Sequence, residues 1–587
     1  MTARSNDSSK IWDDIKGLKR LWPFLKQSKK RLIIAVTMIP IITLLQTSMP
    51  LLVKWIIDQG VTAKNLSNLK FGVLGALVII VAEYLFRGVQ SLLAAKSVHL
   101  MIRDMRNHLI DHVLRLSARF HDKNMSGALV TRATSDFDNL SDALNLGVLN
   151  SVVDFSVLVG AIVGLFVLNW QLALCAVAMM PLVIFIINRC SRLLKTTMLA
   201  ARAKIATLNA FTQECFYNTA TIKLLTGEKQ ATERVGKLSL EYRYAQMKSV
   251  VIDAGLFAVL DGISSITIGV ILWYAVSQIY SATDSALTVG VMIAFVQYIQ
   301  NLFEPLKQLG NKIAMLQGAF TSLDRIFYVL GQKEFIGGND ELDQSFQNIE
   351  VKELSFSYNE DNDPVLKNVN FTLEKGKSLA LVGRTGSGKS TIIKLLSKIY
   401  DGYSGKVFFD KQDLANIDPL SLREQIAIVP QDIVLFDGTI GFNISLGDPQ
   451  YSEEQVKAAA KIVGLDSYVS SLEDGYNFKV KEDGGNLSIG QKQLIVFARA
   501  LIKKPKLIIL DEATSSIDPA SERLIQTAID RILKDQTVIV IAHRLSTIQS
   551  CDEIIYLSYG EIKEKGSHEE LIAEEGLYFD LYQAGTS

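Results

Sequence analysis

The stretch "SLALVGRTGSGKSTIIKLLSKIY", residues 378–400, decides the fold of the C-terminal part of this 587-residue chain. A short apolar run of strand character turns through glycines and enters a segment of helical period. Gly383, Arg384, Thr385, Gly386, Ser387, Gly388, Lys389 and Ser390 satisfy G-x-x-x-x-G-K-[ST] in the strand–turn–helix setting that this pattern needs. The glycines let successive amides turn inward around phosphates, and the helix start adds its positive end. Lys389 can reach the outer phosphates, the Ser390 hydroxyl can ligate Mg2+, and Thr391 completes the nucleotide-binding run. A glycine-rich turn alone can be structural; this spacing in this setting points to nucleotide binding.

Outward from that loop, strand-like runs alternate with helical ones: "IEVKELSFSY", "QIAIVP", "KLIILDEA", "TVIVIAHR" and "EIIYLSYGEI", with "IGQKQLIVFARALIKK" among the helical segments. Such alternation indicates an α/β domain on a largely parallel sheet. The apolar strand ending in Asp511 and Glu512 places one acid to hold Mg2+ and the next to polarise an attacking water. Taken alone, two acids at a strand end are an ordinary solvated edge; beside a phosphate loop they read as catalytic.

Before residue 310 the pattern is different. Overall, 49% of residues are hydrophobic and the mean hydropathy is +0.22, while 61 basic and 61 acidic residues leave no net charge to favour a nucleic-acid partner. The apolar excess lies in six runs, near 32–52, 71–86, 148–168, 171–187, 256–280 and 289–309, of the length that crosses a bilayer. Lys and Arg concentrate before the first run and in the two long connections, near 90–145 and 188–252, and are lacking in "SATDSALT". That asymmetry places the N-terminus, both long connections and the C-terminal domain in the cytoplasm. The long connections have helical period and read as extensions of the spans. Four widely spaced cysteines suggest neither a disulfide framework nor a zinc site. The expected division is an amphipathic segment 1–31, a six-helix membrane domain 32–330, a linker 331–348 and an α/β phosphate-loop NTPase domain 349–587.

The order of the C-terminal motifs resembles the ATP-binding cassette (ABC) transporters. Tyr358 is followed by "GRTGSGKS", by "VPQD" with Gln431, by "NLSIGQKQ", by "LIILDEA", by "SSID" with Asp518 and by "IAHR" with His543. The whole chain is similar to a bacterial multidrug-type exporter half-transporter, which implies ATP-driven export across the inner (plasma) membrane. The resemblance implies that Tyr358 stacks on adenine and that Glu512 is the general base of ATP hydrolysis. It implies that Gln431 senses Mg2+ and water, that Ser390 and Asp511 join it around the metal, and that Lys389 and His543 hold the γ-phosphate. Asp518 is expected at the contact between two cassettes. Leu487, Ser488, Ile489, Gly490 and Gln491 form the signature, which acts on the ATP of a partner cassette. "SGALVTRATSD", with Gly127, Arg132 and Asp136, resembles the first coupling loop. "TQECFYNTATIK", with Glu214, resembles the second, with Asn218 where glycine is usual.

The resemblance further implies pairing, since one cassette's signature closes on another's phosphate loop. The partner is a second copy or a related half-transporter, and Ile489 in place of the family's usual first glycine favours the latter, with two unequal sites. The cargo class implied is a hydrophobic or amphipathic compound, with a lipid or lipid-linked sugar flippase as the alternative and a non-transporting regulatory ATPase as the reading from another class. Glu83, Asp154 and Asp261 fall within the predicted spans, where ionisable groups are functional candidates. Asp154 and Asp261 could attract cationic amphiphiles, or be balanced by local bonding.

Overall fold

The computed structural model describes residues 20–280, 288–335, 337–343, 347–358, 363–511, 519–542 and 544–586. The chain divides into two compact units. One gathers Met1–Leu114 with Ser126–Gln332, the other Arg115–Met125 with Lys333–Ser587.

The first unit is helical. Among the described residues, five stretches are long and apolar enough to cross a membrane: Lys29–Thr62, Leu66–Arg115, Ser126–Leu168, Trp170–Tyr217 and Glu228–Ser277. The expected sixth span is also a helix, Val289–Leu330, but Gln297, Gln300, Asn301 and Glu304 interrupt its apolar run. Its Phe295, Tyr298, Ile299, Leu302 and Phe303 are buried in the bundle, so it is held by packing as much as by composition. The hydroxyl of Tyr298 donates to the Thr47 carbonyl, and Gly164 leaves the room its ring occupies, since a Cβ there would come within 2.4 Å. Leu66–Arg115 and Glu228–Tyr280 run for 50 and 53 residues. At ~1.5 Å per residue, either is more than twice the ~30 Å hydrocarbon thickness, which realises the expected helical extensions. Phe71 and Leu85 are 72% and 64% exposed, as lipid-facing side chains are in a chain taken without its bilayer.

The second unit centres on a six-stranded sheet in the order Glu561–Gly566, Glu553–Ser558, Ser378–Val382, Thr537–Ile541, Leu507–Asp511 and Ile426–Val429. Five strands are parallel, and Glu561–Gly566 pairs antiparallel at the edge. Alternate side chains feed two cores. Leu379, Leu381, Ile509 and Ile539 enter one, while Ala380, Val382, Ile508 and Val540 enter the other. Burial on both faces explains why these strands read as unbroken apolar runs. A second, antiparallel sheet includes Asn348–Phe356, Leu366–Glu374 and Ser404–Phe409.

The stretch expected as a linker is docked instead. Asp340 exchanges backbone bonds with Asn416 and Asp418, at 3.0 and 2.7 Å, and the Leu342 amide donates to Ser421 Oγ at 2.9 Å. Gly338 lies so close to Asn416 that a Cβ would fall 1.8 Å from its carbonyl. Polarity suggested a tether because main-chain pairing leaves no apolar pattern to read. The unit also takes in the short helix Ala118–Lys123, whose Ala118 packs on the core and whose Arg119 donates to the Asp401 carbonyl at 3.4 Å.

Candidate nucleotide site and signature helix

The phosphate loop joins strand Ser378–Val382 to helix Lys389–Leu396. Two glycines in it are required by geometry. Gly383 has φ +142 and Gly388 φ +106, and a Cβ would come within 2.2 Å of the Leu557 carbonyl at the first and 2.6 Å of Leu366 at the second. The loop therefore presents main chain, not side chains, to a ligand. Lys389 is buried, and its Nζ donates to the carbonyls of Gly383 at 2.7 Å and Arg384 at 3.1 Å. Burial lowers its pKa below the ordinary lysine value, and the charge of Asp511 partly offsets that.

The parallel sheet explains how distant motifs converge. Ile541 pairs with Leu381 on one side and Asp511 on the other, so the loop after 382 and the acid at 511 leave the same carboxyl edge two strands apart. Gln431 follows Ile426–Val429 at that edge. Ligands of open α/β sheets bind at the carboxyl ends of the strands. Ser390, Gln431 and Asp511 thus offer the oxygen donors that suit a hard cation such as Mg2+. Glu512, Asp518 and His543 lie outside the described residues.

Tyr358 is tied to the phosphate-loop helix by a 3.1 Å hydrogen bond between its hydroxyl and that of Thr391. Its ring stands edge-on to Tyr400 at 5.2 Å, with Lys394 Nζ 5.7 Å from the ring centre. Tyr400 and Lys394, which the motif pattern does not include, therefore fix the aromatic platform.

The signature begins helix Ile489–Ile502, with Ser488 as its N-cap. Ser488 Oγ accepts from the Gln491 amide at 3.2 Å, and Gln491 Oε1 accepts from the Ser488 amide at 2.9 Å. Gln491 thus builds the helix start. Ile489, the first helical residue, is 49% exposed, whereas Leu487 and Gly490 are buried. Further along, the half-buried Arg499 donates to the Asn443 carbonyl at 2.7 Å, to Asn443 Oδ1 at 3.2 Å and to the Val434 carbonyl at 3.0 Å. Asn443, fully buried, in turn exchanges bonds with Phe436 at 2.8 and 2.9 Å. The segment just after Gln431 is therefore fastened to the signature helix. A charged residue inside the otherwise apolar "LIVFARALI" was the sequence signal for this hub.

The candidate coupling residues belong to the first unit. Asp136 is buried and accepts from Ser322 Oγ at 2.8 Å and Arg325 at 3.2 Å, while Arg132 lies over the Tyr328 ring. Gly127 is exposed, and a Cβ there would meet open space. Glu214 is exposed near the end of Met180–Tyr217. Asn218 follows with φ −102, outside the region that favours glycine, and its amide donates to the Glu214 carbonyl at 3.0 Å. Each predicted intramembrane acid has a basic partner: Glu83 with Arg87 at 3.1 Å, Asp261 with Lys307 at 2.5 Å, and Asp154 with Lys312. Local ionic balance, not an open attraction for cations, is the arrangement found.

The family of the ABC transporter transmembrane region matches residues 32–306, and the ABC transporter family matches residues 366–515. The "ATP-dependent lipid A-core flippase" of Syntrophus aciditrophicus (strain SB) is 31% identical, over 96% of this chain and 94% of its own length. The chain belongs to the ABC transporters. The "Probable multidrug resistance ABC transporter ATP-binding/permease protein YheH" of Bacillus subtilis (strain 168) is 34% identical to this transporter, over 86% of this chain and 75% of its own. A solved bacterial Atm1-family ABC exporter with ATP bound superposes with a TM-score of 0.78 at 25% identity, covering 95% of this transporter and 98% of that chain. The transporter is a membrane-integral exporter half with fused spans and cassette, which acts as a dimer and couples ATP hydrolysis to transport.

Proposed function

We propose that the transporter exports hydrophobic or amphipathic compounds across the bacterial inner membrane by alternating access, with its cassette on the cytoplasmic side. The reading is supported above all by the convergence of the phosphate loop, Gln431 and Asp511 at one carboxyl edge of the sheet. Lys389 neutralises the β- and γ-phosphates there, and Ser390, Gln431 and Asp511 hold Mg2+, which supplies charge neutralisation for phosphoryl transfer. Glu512 orients and deprotonates water, and His543 holds the γ-phosphate. Tyr358 stacks on adenine. Ser488 and Gly490 reach the ATP of the second subunit from the capped helix start, and Asp518 lies at that contact. The segment 126–136, with Gly127, Arg132 and Asp136, and the segment around Glu214 pass the cassette's two states to the spans. The departure at Ile489 favours a related second half-transporter, which leaves two unequal sites. The name of the Syntrophus relative supports a lipid flippase as the second reading.

Purified transporter in liposomes, alone and with a candidate second half, tests this. ATPase stimulation by drug-like amphiphiles is expected, and stimulation by lipid-linked molecules only would overturn the multidrug reading. Glu512→Gln is expected to bind ATP with near-normal affinity and to lose turnover by about 100-fold or more. Wild-type turnover in that variant removes Glu512 from its role.

A further inference from the structure

We propose that the membrane unit holds a cargo-head site selective for zwitterionic amphiphiles, with the Asp154–Lys312 pair as its charge filter. This rests on the exporter reading above. A cavity of about 630 Å3 is lined by the polar residues Arg87, Gln90, Asn150, Asp154, Gln308 and Lys312 together with apolar ones that include Ile42, Val153 and Met315. That is ample for a polar headgroup and the start of its chain. Its depth follows from the helices. Arg87 and Lys312 each lie roughly 20 residues, one hydrocarbon thickness, beyond the starts of Leu66–Arg115 and Val289–Leu330. Counted along the helices, the polar lining falls at headgroup level of one leaflet, and the apolar lining residues are at hand for the start of a chain.

The charges decide the class of occupant. Lys312 is bonded to Asp154, with side chains 13% and 33% exposed, and Arg87 bonds Glu83 at 3.1 Å and Gln46 at 2.9 Å. The wall thus carries both signs in compensated pairs. A cationic head would find Asp154 already neutralised, with Lys312 and Arg87 repelling it; an anionic head would meet the converse at Asp154. Either leaves one charge unpaired in a part-buried place, which is costly. A head bearing both signs can exchange partners with the pair, its anion to Lys312 and its cation to Asp154, and leave none. The amides of Gln90, Asn150 and Gln308 supply further donors and acceptors beside the exchanged ions. Asp261 and Lys307 also pair, but neither is among the residues that line this cavity.

The test uses the transporter in nanodiscs, paired as needed for ATPase, and three probes with one decyl chain: a phosphocholine, a trimethylammonium and a sulfate. Stimulation is read relative to each protein's own basal rate. The wild type is expected to respond to the phosphocholine and not to the other two. Lys312→Met uncovers Asp154 and shifts preference toward the trimethylammonium probe by about tenfold or more, and Asp154→Asn shifts it toward the sulfate by a similar factor. The exchanged double variant, Asp154→Lys with Lys312→Asp, keeps the phosphocholine preference and decides the matter if a single variant folds poorly. Equal wild-type stimulation by all three probes, or preferences that none of the substitutions moves, overturns the charge filter. A wild type with basal ATPase that no amphiphile stimulates instead overturns the exporter reading on which the proposal rests.

Discussion

Ile489 stands at the first position of its helix, between an exposed N-cap and a buried glycine, and this placement settles how a branched residue fits the signature. Ser488 is extended at φ −67 and ψ 157, and its reciprocal bonds with Gln491, worth about 1 kcal/mol, shape the turn without help from residue 489. The side chain leaves the helix start intact and adds apolar surface where a second cassette is expected. Ile489→Gly is therefore expected to raise the ATPase rate of the assembled transporter, by about two- to threefold if the gain is under 1 kcal/mol in the barrier. Phosphate release measured with and without a second half-transporter checks it, and an unchanged rate removes the unequal-site reading. Lys389, Ser390 and Asp511 were legible beforehand because spacing and strand context alone place them. The orientation of Ile489 was not, since it depends on which residue caps the helix. The sense of Asp154 was also hidden, because its partner Lys312 is 158 residues away.

Among the elements, the signature helix carries the most consequence. Arg499 fixes it to Val434 and, through Asn443, to Phe436, a few residues beyond Gln431. On the roles proposed for Gln431 and Ser488, this fastening would link the residue that senses one ATP to the signature that acts on the other. Arg499→Met is expected to lower kcat by about tenfold, ~1.4 kcal/mol, with little change in ATP affinity. Arg499→Lys should recover only part of this, because an ammonium cannot reproduce the guanidinium fork. Equal loss of ATP affinity and kcat in both variants would point to a merely structural role. The long helices were readable from hydropathy and period, as were the parallel strands from their apolar runs. The docking of 337–343 was not, because it rests on backbone pairing with Asn416 and Asp418 and on the absence of a Cβ at Gly338.

At the scale of the whole molecule, one chain has one phosphate loop and one signature, so activity should follow assembly. Light scattering in detergent is expected to give about twice 65.0 kDa of protein for the active species. Full ATPase from this chain alone, with no gain on adding a related half, would identify a homodimer. The composition of the second unit bears on how the molecule can be taken apart. Residues 115–125 belong to it although hundreds of residues separate them from the rest along the chain, and Ala118 seats on its core. The second compact unit is thus not a contiguous length of polypeptide, and a gene fragment beginning at 349 discards both this insert and the docked 337–343 strip. A fragment of 333–587 should melt several degrees above one of 349–587, and a synthetic peptide of residues 115–125 should raise its melting point again; identical melting curves would mean that the insert is a passenger. Excision along the sequence and excision along the fold are different operations in this transporter.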